Sequence, residues 1–114
     1  MNPQTVELIV RAIQAKKPIE FEYAKEGKIH GQRIGNPHII FRGTTKDGIL
    51  RTWCHIVQTG GVSDTLQIFP DWRMFITDSI QNVQIIKDGQ NFEIFDGYNP
   101  ESHMYIGTQI LAKV

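Results

Sequence analysis

The sequence predicts a mainly β, α+β fold: one N-terminal helix, then a small antiparallel sheet curving into a barrel. Three observations predict it. Apolar residues recur at helical spacing over residues 1–17. The period changes from 3.6 to 2 at Pro18. Turn-forming residues then interrupt the chain at the short, regular spacing of an all-β domain. The 114 residues suit one domain, divided as helix 1–17, barrel 18–95 and tail 96–114.

Each element has a local reason. Asn2 is a favourable N-cap and Pro3 sits at the first helical position, where its missing N–H costs nothing. Val6, Ile9, Val10 and Ile13 form one apolar stripe, Lys16 and Lys17 suit the negative end of the helix dipole, and Pro18 stops the helix. Ile19, Phe21 and Tyr23 then alternate with Glu20 and Glu22 as a half-buried strand. Lys25-Glu26-Gly27-Lys28 is a hairpin turn, and residues 28–34 are the returning strand. Gly35-Asn36-Pro37 breaks it before a third strand, His38 to Arg42. Thr45-Lys46-Asp47-Gly48 turns the chain into a longer strand, 49–58, on which Arg51, Trp53, His55 and Val57 share one face and Leu50, Thr52, Cys54 and Ile56 the other. Residues 60–65 are a loop. Residues 72–76 form a strand, Thr77 or Asp78 caps a short helical turn reaching Val83, and residues 84–86 are strand again. Residues 87–90 turn, the chain is irregular to about residue 103, and Tyr105 to Val114 is apolar enough for an edge strand or a docked segment. A helix followed by about five antiparallel strands is the order of an SH3-like or Sm-like barrel.

Twelve basic and twelve acidic residues cancel, which argues against indiscriminate coating of nucleic acid and leaves room for a local basic patch. No apolar run approaches the ~20 residues of a membrane span, and no basic-then-apolar leader opens the chain. With Cys54 alone there is no internal disulfide, so the expected compartment is the cytoplasm. His30, His38, His55 and His103 are scattered, and Cys54 and His55 point to opposite strand faces; no metal site or cofactor is predicted. No catalytic residue is predicted either. Cys54 falls on an apolar face as an inert thiol, Ser63-Asp64 has no companion histidine, Gly60-Gly61 precedes no helix that would make it a phosphate loop, and Glu20 and Glu22 read as solvated.

The order of residues from Ala12 to Phe92 resembles the WYL domain. The resemblance rests on Pro18-Ile19-Glu20-Phe21-Glu22-Tyr23 as the family's first strand, on Gly27, Arg33 and Pro37, on Trp53 in the central strand, and on Arg73-Met74-Phe75 with Asp78 and Ile80. It implies an Sm-like barrel acting as a ligand-sensing regulatory module for single-stranded nucleic acid or a nucleotide-type ligand. Such modules occur in bacterial transcription regulators and phage-defence systems, relay to a partner protein and often work as homodimers. Residues 1–17 are too few for the DNA-binding domain that usually precedes it, so a module without one is expected. Cys54 and His55 follow Trp53 where the family has tyrosine and leucine. Ile76 and Ser79 replace two arginines, which predicts weaker binding.

The candidate ligand-binding set is therefore Arg51, Trp53, Arg73, Arg33 and His55. Arg51, Trp53 and His55 share a face by period; Arg33 and Arg73 join them through the resemblance. Guanidinium groups supply forked donors for phosphate and a flat aromatic stacks a base. The competing reading of the same residues is that Trp53 is core and the arginines are solvated or ion-paired. Phe75 and Asp78 read as structural, an anchor of the core and a cap. The alternative function is a protein-interaction module pairing through sheet edges, with residues 105–114 as the pairing segment and as the motive for a homodimer. A small hydrolase is the least supported.

Overall fold

The computed structural model describes residues 3–63 and 68–114. The expected cap at Asn2, and the Asp64 and Thr65 part of the expected 60–65 loop, lie outside these residues.

Helix α1 spans Pro3–Ala15 and buries Thr5, Ile9, Ala12 and Ile13, with Val6 and Val10 half-buried beside them. It ends as the backbone of Lys16 turns left-handed (φ 53°) and the Lys17 N–H reaches back to the Ala12 carbonyl at 2.9 Å. The strands are β1 (Ile19–Tyr23), β2 (Gln32–Thr44), β3 (Leu50–Gly61), β4 (Asp71–Ile76), β5 (Ile80–Ile85) and β6 (Gln109–Lys113). All pairings are antiparallel, in the order β4-β3-β2-β1-β5. Strand β6 pairs with β2 at Ile39–Arg42, beyond the stretch Gln32–Gly35 that pairs with β1.

Three expectations are corrected. The two short strands expected at 28–34 and 38–42 are one strand. Gly35-Asn36-Pro37 does not break it, because register shifts between Ile34 and Gly35 and between Pro37 and Ile39 absorb the irregularity as bulges. The helical turn expected to reach Val83 is a single 3₁₀ turn, Thr77–Ser79, and Ile80 already opens β5. Its N-cap residue is Ile76, with no side-chain cap bond, so neither Asp78 nor Thr77 caps it; Thr77 is buried and its hydroxyl donates to the Thr52 carbonyl.

Strands β4 and β5 are consecutive and joined by three residues, yet lie at opposite ends of the pairing order. Four peptide steps span at most roughly 15 Å, so the sheet must curl until its edges approach there. Two bonds tie that seam: the Ile76 N–H donates to the Tyr23 hydroxyl at 3.1 Å, and the Ala24 N–H to the Ser79 carbonyl at 2.8 Å. β4 and β5 do not pair with each other, and the sheet does not close.

The main core packs Phe21, Tyr23, Ile40, Cys54, Ile56, Phe75 and Ile80 against α1. Cys54 is buried there, and burial pushes its thiol far up. The opposite sheet face carries a second cluster, Ile39 and Phe41 under Tyr105, with Trp53 and Tyr98 alongside. The tail thus folds over its own sheet, and Leu111, Ala112 and Val114 of its last stretch pack against the main core. Within the apolar tail that motivated a homodimer, Tyr105 is buried and Leu111, Ala112 and Val114 are half-buried, while Ile106 and Ile110 stay exposed.

His38 fastens this tail. It is the bulged residue of β2, fully buried, and its ring stacks on Phe92 at 5.0 Å. The Phe95 amide can only donate, so the nitrogen it meets at 3.0 Å, Nε2, is unprotonated, and Nδ1–H donates to the Asn36 carbonyl at 2.8 Å. Desolvation lowers the His38 pKa against the opposing effect of that Asn36 bond, and desolvation also lowers that of His55. A depressed folded-state pKa means that the unfolded chain takes up protons first. Stability is therefore full above about pH 6.5, the unfolded value, and falls as pH drops through the folded values. Urea denaturation should show lower stability at pH 5 than at neutral pH, with a shallower difference in His38→Gln; a flat profile would contradict the assignment.

Candidate functional site

A cavity of about 340 Å³ opens where the β1–β2 turn meets β4. Four of the chain's twelve basic residues line it: Lys25, Lys28, Arg33 and Arg73. Tyr23, Trp53 and Phe75 supply aromatic walls, with Met74 and Ile76 beside them. No carboxylate is among the described lining residues. In a chain of zero net charge, this concentrates positive potential in one concave place.

The fold explains each position. Lys25 and Lys28 flank a tight turn in which Gly27 takes φ 81° and the Lys28 N–H donates to the Lys25 carbonyl at 3.1 Å. Arg33 faces Phe21 across β1 and β2, on the side that packs the main core, and is 0% exposed. Its guanidinium lies 5.7 Å from the Tyr23 ring centre and 5.5 Å from that of Phe75, and Nη2 donates to the Ile29 carbonyl at 3.2 Å. Buried cations need such partners, and ring faces supply a share of that stabilisation. Arg73 projects from the edge strand β4, its side chain 12% exposed, with the guanidinium 5.7 Å from the Phe69 ring centre and one nitrogen 3.9 Å from an Asp71 oxygen.

Of the five residues expected to line one surface, three meet here: Arg33, Trp53 and Arg73. Trp53 serves both readings of it, half-buried and stacked on Phe41 at 5.7 Å while walling the cavity. Arg51 does not join them; it lies further along β3, opposite Gly43. His55 shares Trp53's strand face, and both rings contact Phe41, but it lines a different cavity. There its Nδ1 and the Tyr105 hydroxyl share a 2.6 Å hydrogen bond.

Sequence reasoning missed Lys25, Lys28 and Tyr23. The lysines carried a turn signal, and nothing local says that the turn folds over β4. For Arg33 a signal existed: an arginine at an inward position of a β-strand, where alternation calls for an apolar residue.

Among the described residues, no three His, Cys, Asp or Glu side chains gather where a metal ion could be held, and no helix is long and apolar enough to cross a membrane. No protein-family model matches the chain, and no curated protein matches it by sequence.

Proposed function

We propose that the protein is a non-catalytic binding module for a phosphate-bearing ligand, a nucleotide or single-stranded nucleic acid, built as an open SH3/Sm-like barrel of the WYL kind. The observation that carries this is the convergence of Lys25, Lys28, Arg33 and Arg73 with Tyr23 and Trp53 on one cavity. Cations meet phosphate oxygens and aromatic faces meet bases, the combination single-stranded nucleic acid requires. The described lining pairs no hydroxyl or thiol with a histidine or carboxylate, which favours binding over turnover. In this reading the module senses its ligand and relays to a partner protein or to a second copy.

The test is titration of a labelled single-stranded oligonucleotide at several salt concentrations. The three lining cations with accessible surface, Lys25, Lys28 and Arg73, give a log–log salt slope of about −2 on a single strand. Arg73→Ala should cost about 1–3 kcal/mol and flatten the slope by about 0.7, whereas Arg51→Ala, outside the cavity, should change neither. Unchanged affinity in the folded Arg73→Ala, Lys28→Ala double variant would overturn the proposal.

A second reading, pairing with another chain through sheet edges, is favoured by one observation: Ile106, just before β6, is 73% exposed and Ile110 on β6 is also exposed. Concentration-dependent mass in light scattering, without oligonucleotide affinity, would select it.

A further inference from the structure

Strand β4 has a cavity on each side. Beyond the cationic one, between the outer sheet face and the tail segment, lies a second of about 350 Å³. Arg73 and Met74 line both, so adjacent residues of one edge strand connect them. Each lies at the low end of small-ligand sites, and their combined volume is well within the range.

The second cavity has a different chemistry. The rings of Trp72, Tyr98, Tyr105 and His55 line it. Trp72 and Tyr98 lie 5.7 Å apart at 32°. The Tyr98 hydroxyl is buried, and no described group hydrogen-bonds it. Burial, with Tyr105 nearby, pushes the phenol up to about 12, so it remains a donor. A buried donor without an acceptor is costly, and an occupant carrying an acceptor removes that cost. The walls thus call for a flat π-system with acceptor atoms on its edge, and the neighbouring cavity calls for phosphate.

We infer that the aromatic cavity is the base subsite of a nucleotide whose phosphate is held by Lys28 and Arg73 across β4, above the buried Arg33. The inference rests on the proposed function and adds to it: recognition is of a nucleobase joined to phosphate, with one end on each side of the edge strand.

The two tryptophans make this testable, because Trp53 lines the cationic cavity and Trp72 the aromatic one. The full chain labelled with 5-fluorotryptophan gives two fluorine resonances, assigned with Trp53→Phe and Trp72→Phe. Ribose 5-phosphate should move the Trp53 signal alone. Adenosine 5′-monophosphate should move both signals and bind about 5- to 150-fold tighter, the range that base–aromatic stacking supplies. Tyr98→Phe should weaken adenosine 5′-monophosphate about 3- to 10-fold and leave ribose 5-phosphate unchanged. That variant removes only the hydroxyl, so loss of folding does not confuse the result. If both ligands bind equally with Trp72 unmoved, the base subsite is wrong and the phosphate reading stands. If neither binds, both fall. If adenosine binds as tightly as its monophosphate, the cavity takes a base without the coupling proposed, and the inference is overturned.

Discussion

Phe75→Ala should lower the free energy of unfolding by about 3–5 kcal/mol, the range for truncating a large buried aromatic. Phe75 is 3% exposed and meets Phe21 and Tyr23 edge-to-face at 5.0 and 4.8 Å. Its ring also lies against the Arg33 guanidinium. Truncation therefore opens a void where three strands meet and removes one of the two ring faces beside a buried cation. A domain of this size has only about 5–15 kcal/mol of stability in total, so the loss is severe. Urea denaturation followed by tryptophan fluorescence measures it. Phe75→Leu keeps much of the volume and should cost less than half as much. Because Phe75 is also a wall of the cationic cavity, Phe75→Leu should weaken ligand binding while the chain stays folded. A loss below about 1 kcal/mol for Phe75→Ala would mean that this face is not core.

Gly61→Ala is expected to cost about 2–5 kcal/mol, from a left-handed backbone at roughly 1–2 and overpacking at roughly 1–3. Gly61 has φ 85°, and an added Cβ would sit 2.2 Å from the Gln32 carbonyl oxygen and 2.7 Å from the Arg33 Cα. Both obstacles are backbone of the paired strand, so no side chain can swing aside. The register sets Gly61 directly opposite Arg33. Any relief of the clash therefore displaces the residue at the floor of the cationic cavity, and binding should fall together with stability. Gly60→Ala is the control: nothing lies within 4 Å of its added Cβ, and a change within about 0.5 kcal/mol is expected. Equal effects at the two glycines, read by denaturation, would show that close approach of β2 is not the reason for glycine at 61.

Much of the fold was legible because its signals are local. The α1 stripe, the stop at Pro18, the alternation of β1 and the two faces of β3 follow from side-chain period alone, and they appear in place. The reading failed where tertiary pairing overrides a local breaker. Gly35, Asn36 and Pro37 look like the end of a strand, but β3 pairs along the whole of β2 and bulges take up the misfit. The 3₁₀ turn is short for a similar reason: Ile80 pairs with Tyr23 and is drawn into β5 at once.

The candidate site divides along the same line. The residue types on offer can be read without any structure: arginines at 33 and 73, a tryptophan on the central strand, and a chain without net charge. Which of them meet depends on how distant strands pack. Curling the sheet until β4 and β5 approach brings the 25–28 turn onto the edge strand, adding Lys25, Lys28 and Tyr23 and leaving Arg51 outside. Folding the tail over the outer face gives His55 to a second, aromatic cavity. Strand period reports the face on which a side chain lies. It carries no information about which distant strand will stand opposite, because that is decided by burying apolar surface across the whole chain.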